Sequence, residues 1–210
     1  MRILVSCFEP FGDDMQNASA LAVHRLPRQL GANEVLQIEL PVVFETAGTQ
    51  LLGAIEFAKP DIVIATGQAG GISGIHLERA ALNIMDASRR DNHGKQPRDI
   101  PIASDGPAAY FSTLPLRPAL ETITSAGIPA SISNSAGTYV CNDVMYRLLH
   151  GLSRQDKACM GGFVHIPYAP QQVAAKGSEC PSMPSEMAAE ALTLLMQECL
   201  RAMTGAPDAL

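Results

Sequence analysis

Along the chain, short runs of β-branched and aliphatic residues alternate with longer stretches in which apolar positions recur every three or four residues. Ile3–Phe8 predicts a strand, and after a loop rich in Gly, Asp and Pro, Ala18–Gln29 predicts a helix. Glu34–Leu40 predicts a second strand, and Phe44–Ala58 a second helix stopped by Lys59-Pro60. Asp61–Gly67 is the clearest buried strand, because its apolar run is continuous rather than alternating. Ile75–Met85 is ambiguous; as a strand it places Glu78 on the same face as His76, Ala80 and Leu82. Asp86–Ala109 is a long polar stretch rich in Gly, Pro and Asp, the kind of loop that serves as a lid or a partner surface. Beyond it come a helix over Leu114–Ala126 (with Pro118 in its early part), a strand over Ile128–Ser133 and a helix over Tyr139–Gly151. A strand over Gly162–Pro167 and an amphipathic helix over Ser185–Met203 complete the pattern.

This alternation predicts an α/β fold with a largely parallel sheet sandwiched between helices. Sites in such sheets collect at the carboxyl ends of the strands, where Phe8, Phe11, Gln68 and His165 fall. The 210 residues fit a single domain spanning 1–210, without repeats or linkers.

Composition narrows the function. A net charge of −6 with scattered basic residues argues against nucleic acid and anionic membranes as partners. The apolar run at the N-terminus is too short for a signal or a span, which predicts a cytosolic protein. The five cysteines are an odd number, widely spaced and without Cys-x-x-Cys pairing, so reduced thiols are expected. No His-Glu-x-x-His or cysteine pair suggests a metal, and no glycine-rich signature suggests a nucleotide.

Three residues carry candidate chemistry. Thr138 is a suitable N-cap, which sets Cys141 in the first turn of the helix that follows. Free N–H groups and the helix dipole there favour a thiolate and suit an oxyanion. The alternative for Cys141 is a buried packing cysteine. His165, at the end of an apolar strand, is the best-placed base among five histidines, although strand-end histidines are often structural. Glu78 is an acid in apolar surroundings and needs a partner, either neighbouring Arg79 or His165.

Taken in order, Phe8-Glu9-Pro10-Phe11-Gly12, Gly67-Gln68-Ala69-Gly70-Gly71, Glu78-Arg79, Asp105–Phe111, Ser135–Asn142 and Phe163–Pro167 resemble the pyroglutamyl peptidase I family of cysteine peptidases. The resemblance runs from the first strand to about Tyr168. It implies a three-layer α/β/α sandwich, a Cys141-His165-Glu78 triad, no metal or organic cofactor, and often a homotetramer. It also implies hydrolysis of the amide bond after an N-terminal pyroglutamyl residue through an acyl-enzyme intermediate. Phe8, Phe11, Tyr139 and Val140 correspond to the pyroglutamyl pocket, and backbone groups around Gln68 to the reader of the lactam.

The sequence departs from the family pattern at Cys7, where glycine is usual, at Ala18, where proline is usual, and at Val42, often threonine. In the long loop, Ala-Arg-Ile-Pro-Asp-Asn becomes Ala87-Ser88-Arg89-Arg90-Asp91-Asn92, so Arg89 takes an apolar pocket position. Two other readings are a nucleoside phosphorylase-like enzyme, which needs phosphate-binding arginines, and a binding protein without turnover.

Overall fold

A strand apolar at every position must be covered on both faces, and the fold follows from that requirement. In the computed structural model, which describes residues 1–155, 158–177 and 179–205, the strands β1 (Arg2–Phe8), β4 (Ile62–Gln68) and β9 (Met160–Ile166) are buried almost throughout. Alternate residues of each strand enter two separate cores. Ile3, Val5, Ile62, Ile64, Val164 and Ile166 enter one; Leu4, Phe8, Val63, Ala65 and Phe163 enter the other. Each fully buried aliphatic side chain contributes about 1.5–3 kcal/mol, more than the roughly 1 kcal/mol range of strand propensity. Burial on both faces therefore decides the strand state here.

The remaining strands are β2 (Gln29–Leu30), β3 (Asn33–Leu40), β5 (Ile75–Glu78), β6 (Ala80–Leu82), β7 (Ala109–Phe111) and β8 (Ala130–Ser133). Seven of them form one sheet in the order β2-β3-β1-β4-β9-β5-β8. The centre is parallel; β2 runs against β3, and β5 runs against β9 while pairing parallel with β8. The helices are α1 (Ala18–Val23), α2 (Thr46–Ala58), α3 (Leu116–Ser125), α4 (Val140–Leu152), α5 (Pro170–Lys176) and α6 (Ser185–Thr204). Residues of α1, α3 and α6 fill the first core, and residues of α2 and α4 the second. The result is a three-layer α/β/α sandwich. Among the described residues no helix is long and apolar enough to cross a membrane.

Four expectations need correction. The helix expected over Ala18–Gln29 ends at Val23 with His24 as its C-cap, and Gln29 belongs to β2; Pro27 cannot continue a helix hydrogen-bond ladder. Ile75–Met85 is two strands in different sheets, broken at Arg79. The Arg79 N–H donates to Ser133 and its carbonyl accepts from Ser112 (both 2.8 Å), so β6 leaves the main sheet to pair with β7. Ala80 and Leu82 therefore do not share a sheet face with Glu78. The loop after Asp86 is stitched down rather than loose: its Met85–Ile100 bridge and the wholly bonded carboxylate of Asp91 fix it against the core. Helix α5 and strands β2 and β7 carry too short a pattern to be read from sequence. The expected single domain, 1–210, includes residues 206–210, which lie outside the described residues.

Asn142, fully buried, ties the first turn of α4 to β6: it accepts from Leu82 N (2.8 Å) and donates to the carbonyls of Leu82 (2.9 Å) and Ile84 (3.0 Å). Replacing it with alanine orphans buried backbone groups at about 1–3 kcal/mol each. Asn142→Ala is expected to lose about 2–4 kcal/mol of stability, measured by urea unfolding.

Candidate active site

The carboxyl ends of β1, β4 and β9 and the start of α4 open onto one cavity of about 450 Å3. Cys141 is the second residue of α4. Thr138 is not the N-cap; its hydroxyl instead donates to the Asp86 carbonyl at 2.7 Å, and Tyr139 occupies the cap position without a side-chain bond. The helix ladder begins with Asp143 N–H donating to the Tyr139 carbonyl. Among the described residues, the N–H groups of Val140, Cys141 and Asn142 therefore have no acceptor, and they lie at the positive end of the helix that carries the sulfur.

Below the sulfur lies Gly67, near the end of β4. A Cβ placed on Gly67 would stand 2.9 Å from Cys141 Sγ and 2.8 Å from Phe163 Cζ. The missing side chain is what lets α4 set its thiol down on the sheet.

His165 is paired with Gly67 across β4 and β9, and it is only 8% exposed. Its Nδ1 lies 2.8 Å from Glu78 Oε1. The carboxylate can only accept, so Nδ1 carries the proton and Nε2 is left for the sulfur side. Antiparallel pairing explains this contact. Register sets Glu78 opposite Phe163, one level below His165 on the same face, and the two side chains meet on the diagonal. Glu78 is 1% exposed and its Oε2 has no hydrogen-bond partner, so the imidazole is the main compensation for a buried charge. Burial pulls the His165 pKa down, but neighbouring Cys141 foremost, and Glu78 with it, raise it from 6.5 to about 10. The imidazole of His165 is thus held charged between Cys141 and Glu78.

The rest of the cavity is a wall of rings and small groups. Phe8 ends β1, and Tyr139 packs edge-on against Phe44 with centroids 5.2 Å apart and tilts toward Phe11 at 6.5 Å. Val42 and Val140 complete the apolar side. The long loop covers it: Tyr139 donates to the Arg90 carbonyl (3.0 Å), and Asn92 donates to Glu9 Oε1 (2.7 Å) and the Pro10 carbonyl (3.0 Å). This fixes Arg89, whose guanidinium lies 5.5 Å over the Phe11 ring.

The family model for pyroglutamyl peptidases (peptidase C15) matches residues 1–202. The chain belongs to the pyroglutamyl peptidase family. It is similar to the pyrrolidone-carboxylate peptidase of Pectobacterium atrosepticum, 47% identical over 199 residues that make up 94% of this chain and 92% of that one. It is also similar to that of Thermosipho africanus, 45% identical over 96% and 98% of the two chains. Among solved structures, a mutant pyrrolidone carboxyl peptidase from Pyrococcus furiosus superposes with a TM-score of 0.92 at 42% identity, covering 97% of this chain and all of the other. Pyroglutamyl peptidase I from Bacillus amyloliquefaciens gives 0.90 at 38% identity, covering 94% and 96%.

Within this pyroglutamyl peptidase fold, Cys141, His165, Phe8, Phe11, Gln68, Tyr139, Val140 and Arg89 all border one cavity, with Glu78 behind His165. The Gln68 side chain is already committed to the scaffold: Oε1 accepts from Ala18 N and Gln172 Nε2, and Nε2 donates to Asp14. Sequence reasoning passed over Asn17, Ser88, Tyr168 and Cys180 as lining residues, along with the bracing role of Glu9 and Asp91. Glu9 lay inside a recognised motif, whereas Tyr168 and Cys180 carried no signal of their own.

The His165 proton yields a prediction. In Cys141→Ala the foremost influence raising its pKa is gone while burial remains, so the imidazolium is expected to titrate well below about 10 by NMR. The sign for stability follows: a raised folded pKa stabilises fully below about 6.5, and that contribution is lost as pH climbs through about 10. An unmoved titration would assign the proton to Glu78 alone.

Proposed function

We infer that this chain is a cysteine-type omega peptidase that removes an N-terminal pyroglutamyl residue, with Cys141 as nucleophile, His165 as acid–base and Glu78 as its orienting carboxylate. The observation carrying the specificity is the charge of the cavity. Among its described lining residues there is no aspartate or glutamate, and the cations His165 and Arg89 both face it. An ordinary N-terminus brings an ammonium, which finds no carboxylate there: the Cys141 thiolate is already matched by the His165 imidazolium, and Arg89 adds a further cation. A pyroglutamyl ring is a neutral lactam, suited to the apolar side formed by Phe8, Phe11, Val42 and Tyr139.

The chemistry follows from the same geometry. The Cys141 thiolate attacks the carbonyl carbon after the lactam ring, and the oxyanion forms within reach of the unpaired N–H groups of α4. The imidazolium of His165 gives its Nε2 proton to the departing amine, leaving a thioester. His165, now neutral, takes a proton from water as it attacks the thioester, and pyroglutamate leaves. Glu78 remains ionised throughout and holds the ring in the tautomer that both steps need. Arg89 covers the Phe11 ring and closes the apolar side with its stem. The reading includes pyroglutamyl peptides as partners and a reducing, cytoplasmic location, which suits the free cysteines Cys7, Cys141, Cys159, Cys180 and Cys199. It also includes a homo-oligomer, the expected tetramer, which the exposed rings of Phe57 (92%) and Phe111 (70%) support.

Release of a fluorophore from a pyroglutamyl amide tests this function. Turnover is expected on that substrate and not on the matching amides of free glutamate or glutamine; comparable kcat/KM on the glutamine amide would overturn the specificity argument. Cys141→Ala is expected to abolish turnover with the fold intact by circular dichroism. Glu78→Gln is expected to retain more activity than His165→Ala, because the amide preserves part of the orienting geometry while losing its charge; each is read as a change in kcat.

A further inference from the structure

On the sheet face opposite the catalytic cavity, a second chemical cluster forms from residues far apart in sequence. Register makes Cys7 of β1 and Glu39 of β3 direct neighbours. Helix α1 packs over this face and ends at His24, which brings its ring to the same two strands. His24 Nε2 lies 3.7 Å from Glu39 Oε2, and the Cys7 sulfur, the imidazole nitrogen and the carboxylate oxygen all lie within 4.8 Å of one another. Among the described residues no other three His, Cys, Asp or Glu side chains converge in this way.

The spacing is that of a metal's donor atoms. Around a tetrahedral zinc ion with bonds of about 2.0–2.3 Å, neighbouring donors stand about 3.3–3.8 Å apart. The histidine–glutamate separation is already in that range, and the sulfur needs an adjustment of at most about 1 Å. We propose that Cys7, His24 and Glu39 form a binding site for a divalent cation of the zinc class, distinct from the catalytic centre.

Three features support the assignment. The donor set of thiolate, imidazole and carboxylate suits a borderline-soft ion and not magnesium or calcium, which take oxygen ligands. Its two negative charges cancel those of the cation. The donors also give up little: the Cys7 thiol's hydrogen bond to the Ile38 carbonyl is 3.7 Å long, and the His24–Glu39 contact is a long one at the surface. Burial first, and Glu39 second, hold the Cys7 pKa up at about 12, so the free site is a thiol. Binding breaks the S–H bond, sends its proton to water and forms the sulfur–metal bond; no electron changes hands. The side chains of His24 and Glu39 are 58% and 48% exposed, which gives a hydrated ion its way in.

Cobalt(II), which reports its ligands spectroscopically, is the probe, and Cys141→Ala is the background that removes the catalytic thiol. One equivalent of cobalt is expected to give a thiolate-to-cobalt charge-transfer band with the visible absorption of a four-coordinate ion, and zinc is expected to displace it. Adding Cys7→Ser should abolish the band. Cys7 is buried and its replacement risks the fold, so the exposed His24→Ala serves as the second variant and should weaken affinity by on the order of tenfold or more. A zinc-dependent rise in Tm should disappear with His24→Ala. The absence of a band, its survival in a folded Cys7→Ser protein, its loss with Cys180→Ser instead, or an unchanged affinity in His24→Ala would overturn the proposal.

Discussion

A single buried carboxylate organises the cavity side of this molecule. Removing Glu78 from water costs several kcal/mol, and only a partner of opposite charge with good geometry offsets that. One of its oxygens meets His165, and the other has no hydrogen-bond partner among the described residues. The imidazole is therefore held charged and in one orientation, with Cys141 on its other side. The reversal of β5 makes this possible. A strand running parallel to β9 would bring Glu78 toward the sheet edge; the antiparallel one delivers it a level below, out of solvent and beneath the ring it steadies.

Around this pair the fold divides two tasks between its layers. The sheet supplies the fixed parts, His165, Glu78 and the floor at Gly67, on strands buried on both faces. The parts that bear on recognition sit on α4 and the long loop, joined to each other through Tyr139 and Thr138. Cys141 and the cover of the cavity thus share attachment points, and the position of one constrains the other. Local propensity adds little here; Tyr139 is a poor cap, and the first turn of α4 is held by Asn142 and by packing.

Much of this was legible in the sequence, for a physical reason. Asp61–Gly67 and Gly162–Pro167 announce central strands because double-sided burial demands unbroken apolar runs, and the ordered motifs carry Glu78, Cys141 and His165 with them. Pairing was not legible. Nothing in Ile75–Met85 says that the chain leaves one sheet for another at Arg79, since that depends on carbonyls supplied by distant segments. Nor does the choice for Glu78 between Arg79 and His165 follow from alternation alone, because it turns on strand direction. The cluster of Cys7, His24 and Glu39 lies beyond motif reading for the same reason: its spacing exists only across β1, β3 and the end of α1.

The bare backbone at Gly67 has a consequence for how such a protein can change over time. The floor beneath the sulfur is open only to a residue without a side chain, since even a methyl group would meet Sγ and the Phe163 ring at once. Arg89, by contrast, lies over the face of a ring and is bordered by the cavity on its other side. A lineage can therefore drift at the roof of this cavity, trading one substrate preference for another, while the floor admits no such experiment.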